Sequence, residues 1–153
     1  MNDLEKIRTD YSQKNLTKRE VAREPIAQFE AWFNEAINSQ IADPTACTLS
    51  TATKSGKPSG RIVLLKGFDN KGFTFFMNYS SRKGKDLMEN PFASLTFFWK
   101  ELERQVRIEG PVEKISEPQN DTYFKSRPLG SQLGAWASPQ SQVIPRRAFA
   151  GTL

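Results

Sequence analysis

The chain has 153 residues, 37% of them hydrophobic and 25% charged, which fits one globular domain and excludes a disordered polymer. It contains no histidine and a single cysteine, Cys47, so a Ser-His-Asp triad, a Cys-His pair, His-ligated zinc and an internal disulfide framework are all excluded. A formal charge of +5, from 22 basic against 17 acidic side chains, favours an anionic partner: nucleic acid, phospholipid or a phosphorylated small molecule.

The N-terminus, Met1 to Lys6, is charged and lacks the apolar stretch of a signal peptide. No apolar run approaches membrane-spanning length, and a soluble, cytoplasmic protein is expected. Residues 3–24 are polar and read as a short helix followed by a mobile arm, separate from a domain over 25–153. Pro25 suits the first turn of a second helix, and Ile26, Phe29, Phe33 and Ile37 follow helical spacing, predicting one face on a core. Asp43-Pro44 ends that region. From Ala46 the texture turns β: Cys47 to Thr53 is a strand, and Lys54 to Pro58 a turn. Arg61 to Lys66 is a second strand, Asp69 to Gly72 a hairpin turn, and Phe73 to Met77 the returning strand. A short helix is predicted from Ser80 or Ser81 to Glu89, stopped by Asn90-Pro91. Phe92 to Trp99 and Arg104 to Ile115 form a further strand pair, and residues 117–127 return to helix. Five short strands with tight connections and small helices point to a mainly antiparallel barrel rather than a doubly wound parallel sheet.

The basic residues recur in pairs (Lys18-Arg19, Arg82-Lys83, Arg146-Arg147) and form no long run, a pattern suited to discrete phosphate sites more than to a nucleic-acid track. Ser80 to Lys85 is the most informative segment. A serine cap leaves free backbone N–H groups at a helix start, where the helix dipole favours an anion and adjacent cations complete a phosphate cradle. The alternative is a solvated basic helix end. Arg61 and Lys66 bracket an apolar strand, and strict alternation sends them to opposite faces. Either they are surface charges at the strand ends, the simplest reading of the strand alone, or they serve different parts of a site, or a bulge intervenes. Gln105 and Arg107 share a strand face, where a glutamine either meets a ligand or is solvated. Tyr123 and Arg127 stand four apart on one helix face, Pro128 ends that helix, and Ser131 is a candidate cap for the next segment. Together they make a second candidate phosphate pocket, although each alone reads as structural.

These segments together resemble the pyridoxamine/pyridoxine 5'-phosphate oxidase family. The resemblance is carried by Arg61 to Lys66, Ser81-Arg82-Lys83, Glu103 to Val106, Tyr123 to Pro128, Ser131 to Trp136 and Pro139-Gln140-Ser141, in the family's order and spacing. It implies an FMN-binding split β-barrel with peripheral helices, and a homodimer with FMN at the subunit interface. It implies that Arg61, Ile62, Val63, Leu64, Leu65, Lys66, Phe76, Met77, Arg82, Lys83, Gln105, Gln140 and Ser141 surround FMN. It further implies that Lys66, Tyr123, Arg127 and Ser131 hold the substrate phosphate, with Arg8 to Tyr11 as a mobile contribution. The implied reaction oxidises pyridoxamine or pyridoxine 5'-phosphate to pyridoxal 5'-phosphate in vitamin B6 metabolism, with dioxygen as acceptor. No nucleic acid, membrane or metal enters this reading, and no side chain is assigned an acid–base role, because the flavin carries the redox chemistry.

The family pattern continues beyond Ile144 with a helix and closing strands that bear a tryptophan, an arginine and an Arg-x-His motif. Pro145 to Leu153 offers no counterpart. The 153 residues by themselves are therefore expected to be a poor catalyst. The alternative function is a non-catalytic binder of FMN or pyridoxal phosphate; a basic nucleic-acid-binding domain is a third reading.

Overall fold

The computed structural model describes residues 6, 10, 16–137 and 140–141. Its elements are α1 (Pro25–Asn38), β1 (Ala46–Ala52), β2 (Pro58–Asp69), β3 (Gly72–Phe75), α2 (Arg82–Glu89), β4 (Phe92–Trp99), β5 (Arg104–Pro111), α3 (Glu117–Ser126) and α4 (Leu129–Ala137). The five strands form one sheet in the order β3-β2-β1-β4-β5, with every neighbouring pair antiparallel. The architecture is mainly β with peripheral helices, a half-barrel whose edge strands β3 and β5 are not paired with each other among the described residues.

Alternation decides what the sheet presents on each side. Cys47, Leu49 and Thr51 of β1, Val63 and Leu65 of β2, and Leu95, Phe97 and Trp99 of β4 are buried on the inner face. Helix α1 covers that face through Phe29, whose ring meets Phe73 at 4.9 Å, Phe68 at 5.0 Å, Phe97 at 5.3 Å and Phe33 at 5.6 Å. The buried Trp99 keeps its one polar atom satisfied, since its indole N–H donates to the Pro44 carbonyl at 3.0 Å. The outer face carries Thr48, Ile62, Thr96 and Arg107 as one cross-strand row.

The β2–β3 hairpin turns where Asp69 Oδ1 accepts the backbone N–H groups of Lys71 and Gly72, at 2.7 and 3.2 Å. Gly72 has φ +150, which favours glycine. Between Leu65 and Gly67 the pairing with β3 shifts by one residue, so Lys66 sits in a β-bulge.

Several sequence expectations are corrected. Ile37 is 50% exposed; the buried face of α1 runs through Phe29 and Ala36 instead, because Ala36 is the residue small enough to seat against the sheet. Strand β3 ends at Phe75, leaving Phe76 and Met77 in the segment beyond it, and β5 ends at Pro111 rather than Ile115. Ser131 does not cap α4; the helix starts at Leu129, directly after Pro128, and Ser131 lies in its first turn. Of the predicted N-terminal helix and arm, only residues 6, 10 and 16–24 are described, with a turn in which the Glu20 N–H donates to the Thr17 carbonyl.

Candidate phosphate-binding site

Helix α2 begins as its sequence predicts. Ser81 is the N-cap, fully buried, and its Oγ accepts the Gly84 N–H at 3.4 Å while donating to the Asn78 carbonyl at 2.6 Å. Asn78 Oδ1 in turn accepts the Ser80 N–H at 2.8 Å, so the loop into the helix is tied at both ends. Gly84 is required by space: a Cβ there would overlap the Tyr79 carbonyl. This close approach directs the first turn of α2, with Arg82 and Lys83, toward the start of strand β2.

Arg61 reaches the same place from the sheet. It lies on the row Arg61–Leu49–Leu95–Ile108, as the polar end of an otherwise apolar inner row. Its Nη1 donates to the Leu49 carbonyl at 3.1 Å and to Thr51 Oγ1 at 2.8 Å, and its Nη2 donates to Ser59 Oγ at 2.6 Å. The Asp86 carboxylate stands 3.7 Å from Nη2 and accepts the Thr51 hydroxyl at 2.9 Å. Burial pulls the Arg61 pKa down; Asp86 opposes that shift and the positive charge of Arg82 adds to it. Lys83 is likewise lowered, first by burial and then by the charge of Arg61. The cations disfavour one another, and an anion among them would relieve that cost.

Between these groups lies a cavity of about 360 Å³, lined by Ser59, Gly60, Arg61, Arg82, Lys83, Gln140 and Ser141. The Lys83 ammonium donates to Gln140 Oε1 at 3.0 Å, across 57 residues of chain. Ser141 has φ +60, a left-handed conformation uncommon for serine and frequent at functional sites. Three cations, hydroxyls and a capped helix start are a donor set suited to a phosphate ester. Among the described residues no group of His, Cys, Asp or Glu is placed to hold a metal ion, and no helix is long and apolar enough to cross a membrane.

The other residues singled out in the sequence fall elsewhere. Val63 and Leu65 have their side chains in the core, whereas Ile62, Leu64 and Lys66 are exposed on the outer face. The bulge at Lys66 follows the alternating stretch and does not bring Lys66 round to Arg61. Gln105 is exposed on the outer face of β5, opposite Phe98, three strands across from Arg61 and three residues along from the row that Arg61 occupies. Met77 is half-buried just past β3. Phe76 stacks on Tyr123 with ring centroids 3.4 Å apart and planes 9° from parallel, which joins a residue expected at the cofactor to one expected at the substrate. Arg127 is the C-cap of α3, half-buried, with its guanidinium 5.8 Å from the Phe124 ring, and Ser131 is exposed. Among the described residues no hydrogen bond or ion pair links the side chains of Lys66, Tyr123, Arg127 and Ser131 to one another. Arg8 and Tyr11 lie outside the described residues, as does everything after Ser141.

Sequence reasoning missed Ser59, Gly60, Thr51 and Asp86. Small residues next to Arg61 were a usable signal for the first two, since close approach to a ligand demands them. Asp86 stands four residues after Arg82 and reads as a surface helix pair; its burial follows only from the packing of α2 on β1.

The chain is similar to known proteins over most of its length. A family model described as Pyridoxamine 5'-phosphate oxidase matches residues 33–151. Proteins named Pyridoxine/pyridoxamine 5'-phosphate oxidase from Burkholderia mallei (strain SAVP1) and Burkholderia pseudomallei (strain K96243) are 55% identical over 149 residues, or 97% of this chain and 70% of theirs. PhzG from Burkholderia lata 383, solved in complex with tetrahydrophenazine-1-carboxylic acid, superposes with a TM-score of 0.81 at 30% identity, over 85% of this chain and 65% of that one. A pyridoxamine 5'-phosphate oxidase-related, FMN binding protein from Nostoc punctiforme PCC 73102 gives a TM-score of 0.63 at 15% identity, over 86% and 74% of the two chains, a likeness of fold alone. With more than half of its length matched by the family model and relatives this similar, the chain belongs to the pyridoxamine 5'-phosphate oxidase family.

Proposed function

We propose that this chain binds FMN by its phosphate in the Arg61–Arg82–Lys83 cavity and oxidises pyridoxamine or pyridoxine 5'-phosphate to pyridoxal 5'-phosphate, with dioxygen as acceptor. The observation that carries the reading is the convergence of β2, the start of α2 and Gln140-Ser141 on one cavity with a cationic wall. The residues fit the cofactor's phosphate: Arg61 is held by neutral acceptors in a fixed direction, and Arg82 and Lys83 sit beside the free N–H groups of the helix start. FMN held by Arg61, Arg82 and Lys83 would supply the acceptor for a hydride from the substrate's C4' carbon and the redox capacity to reduce dioxygen to hydrogen peroxide.

The chain's own part is binding and orientation. Lys66, Tyr123, Arg127 and Ser131 take the substrate phosphate, with the Tyr123 ring kept in place by its stack on Phe76. Cys47 takes no part in the chemistry, because burial pushes its thiol up to about 11 and its side chain lies in the core. Gln105 serves the flavin of a second copy of the chain, since the sheet separates it from the cavity of its own. That need for two chains supports a homodimer with FMN at the interface, and the exposed Ile62, Leu64 and Phe98 on the outer face are the apolar surface available for it.

The test is to purify the chain, record flavin absorbance after exhaustive dialysis, and assay peroxide and pyridoxal phosphate formation from pyridoxine 5'-phosphate. Stoichiometric flavin with turnover of the phosphorylated substrate, and none of free pyridoxine, is the expected result. The absence of retained flavin refutes the proposal. Flavin without peroxide would instead support the non-catalytic binder.

A further inference from the structure

Asp86 is the one carboxylate near the cationic cavity whose partners there are described, and it is nine-tenths buried, with 5% of its surface exposed. It sits on the inward face of α2 beside Leu87, away from the solvated helix surface that its spacing from Arg82 suggests. Its Oδ2 accepts the Thr51 hydroxyl at 2.9 Å and lies 3.7 Å from Arg61 Nη2. A buried carboxylate is costly unless paired, so its position beside an anion site calls for a reason.

Positioning Arg61 is not that reason. The guanidinium already donates to the Leu49 carbonyl, Thr51 Oγ1 and Ser59 Oγ, all neutral, at 2.6 to 3.1 Å. Those three acceptors fix its direction whether or not Asp86 is charged. What Asp86 adds is charge. Arg61, Arg82 and Lys83 line one cavity, and the Arg61 charge is disfavoured by Arg82 as the Lys83 charge is by Arg61.

Resting on the FMN-phosphate reading of this cavity, we propose that Asp86 is its resident counter-charge, stabilising the ligand-free fold at the expense of affinity for the phosphate ester. Three cations less one carboxylate leave a net +2. That matches a phosphate monoester, which carries about −1.5 to −2 near neutral pH. Without an anion, the carboxylate offsets the mutual repulsion of the cations. Once a phosphate enters, the same carboxylate repels it. Asp86 thus sets affinity below what the three cations alone would reach, and makes the ligand-free chain stable enough to fold before it is loaded.

The experiment compares the full chain with Asp86→Asn, which keeps an oxygen acceptor for Thr51 and removes the charge. Dissociation constants for FMN and for riboflavin, which lacks the phosphate, are measured by fluorescence titration, together with the thermal midpoint of the ligand-free protein. The expected result is FMN binding about tenfold tighter in D86N, unchanged riboflavin binding, and a lower ligand-free midpoint. Unchanged or weaker FMN binding overturns the proposal, as does an equal gain for riboflavin. Wild-type protein that binds FMN no better than riboflavin overturns the phosphate-site reading itself, and this inference with it. If D86N does not fold, Arg82→Gln in the same chain restores the net charge of +2. Recovery of a folded protein by the D86N/R82Q pair supports the counter-charge role, and failure to recover overturns it.

Discussion

Two cationic groups in this molecule are built on very different supports. Arg61, Arg82 and Lys83 hang from a central strand and a helix start whose cap, Ser81, is fully buried and hydrogen-bonded. Tyr123, Arg127 and Ser131 hang from α3 and α4, and α3 buries none of its residues completely. The second group is held by lighter means: the Phe76–Tyr123 stack, and Gln132, whose amide donates to the Arg127 carbonyl at 2.7 Å and to the Lys125 carbonyl at 3.4 Å. A rigid cradle loses little entropy when its ligand arrives, which suits a cofactor that stays; a site on lightly packed elements opens at low cost, which suits a substrate that turns over.

The largest effect that would break this comparison is expected from Arg82→Ala combined with Lys83→Ala. Each charged hydrogen bond contributes roughly 1.5–3 kcal/mol, with the exposed Arg82 toward the lower figure, so FMN affinity should fall about a hundredfold or more. Equilibrium dialysis with FMN measures it; retention of wild-type affinity would mean that the cavity is not the cofactor's phosphate site.

Next in size is Arg127→Ala. A single lost charged contact of about 1.5–3 kcal/mol should raise the Michaelis constant for pyridoxine 5'-phosphate about ten- to a hundredfold and leave FMN affinity unchanged. If both ligands weaken equally, Arg127 is a structural residue and the two sites are not independent.

Gly84→Ala sharpens the comparison by attacking the support rather than a contact. The new Cβ overlaps the Tyr79 carbonyl, a backbone atom that cannot swing aside, and such overpacking costs typically about 1–3 kcal/mol. Denaturant unfolding should show that loss, and the FMN affinity should drop because the first turn of α2 moves. A variant with wild-type stability and affinity would show that the loop yields freely and that the cradle is less rigid than its hydrogen bonds imply.

The smallest expected change comes from Phe76→Leu. Loss of the ring stack forfeits about 0.5–1.5 kcal/mol of the preference that holds Tyr123, or about two- to tenfold in the Michaelis constant. FMN affinity measured in parallel separates the two sites: if it falls and the Michaelis constant does not, Phe76 belongs to the cofactor alone.

Much of the molecule is set by local rules that a sequence displays directly. Ser81 caps α2 because a hydroxyl there satisfies a helix N–H whatever lies around it, and Asn90-Pro91 stops that helix for equally local reasons. The bounds of β4 at Phe92 and Trp99, and the hairpin at Asp69 to Gly72, follow from alternation and turn chemistry. The placement of Arg82 and Lys83 in the first turn of a serine-capped helix was legible for the same reason. What no local rule could supply is which residues meet across the fold. Ser59 and Gly60 line the cavity because β2 begins at Pro58 and pairs with β1 through Ala52, and Gln140 reaches Lys83 across 57 residues. Helical spacing placed Ile37 on the core side of α1, yet the sheet accepts Ala36 there, because side-chain volume against a particular surface selects between adjacent positions. Asp86 is the sharpest case: in sequence it is an ordinary acid on a short basic helix, and only the seating of α2 on β1 buries it between Thr51 and Arg61. Periodicity and capping act within a few residues and are written in the chain. Burial of charge and convergence of side chains depend on register between distant strands, and those arise only when the sheet has formed.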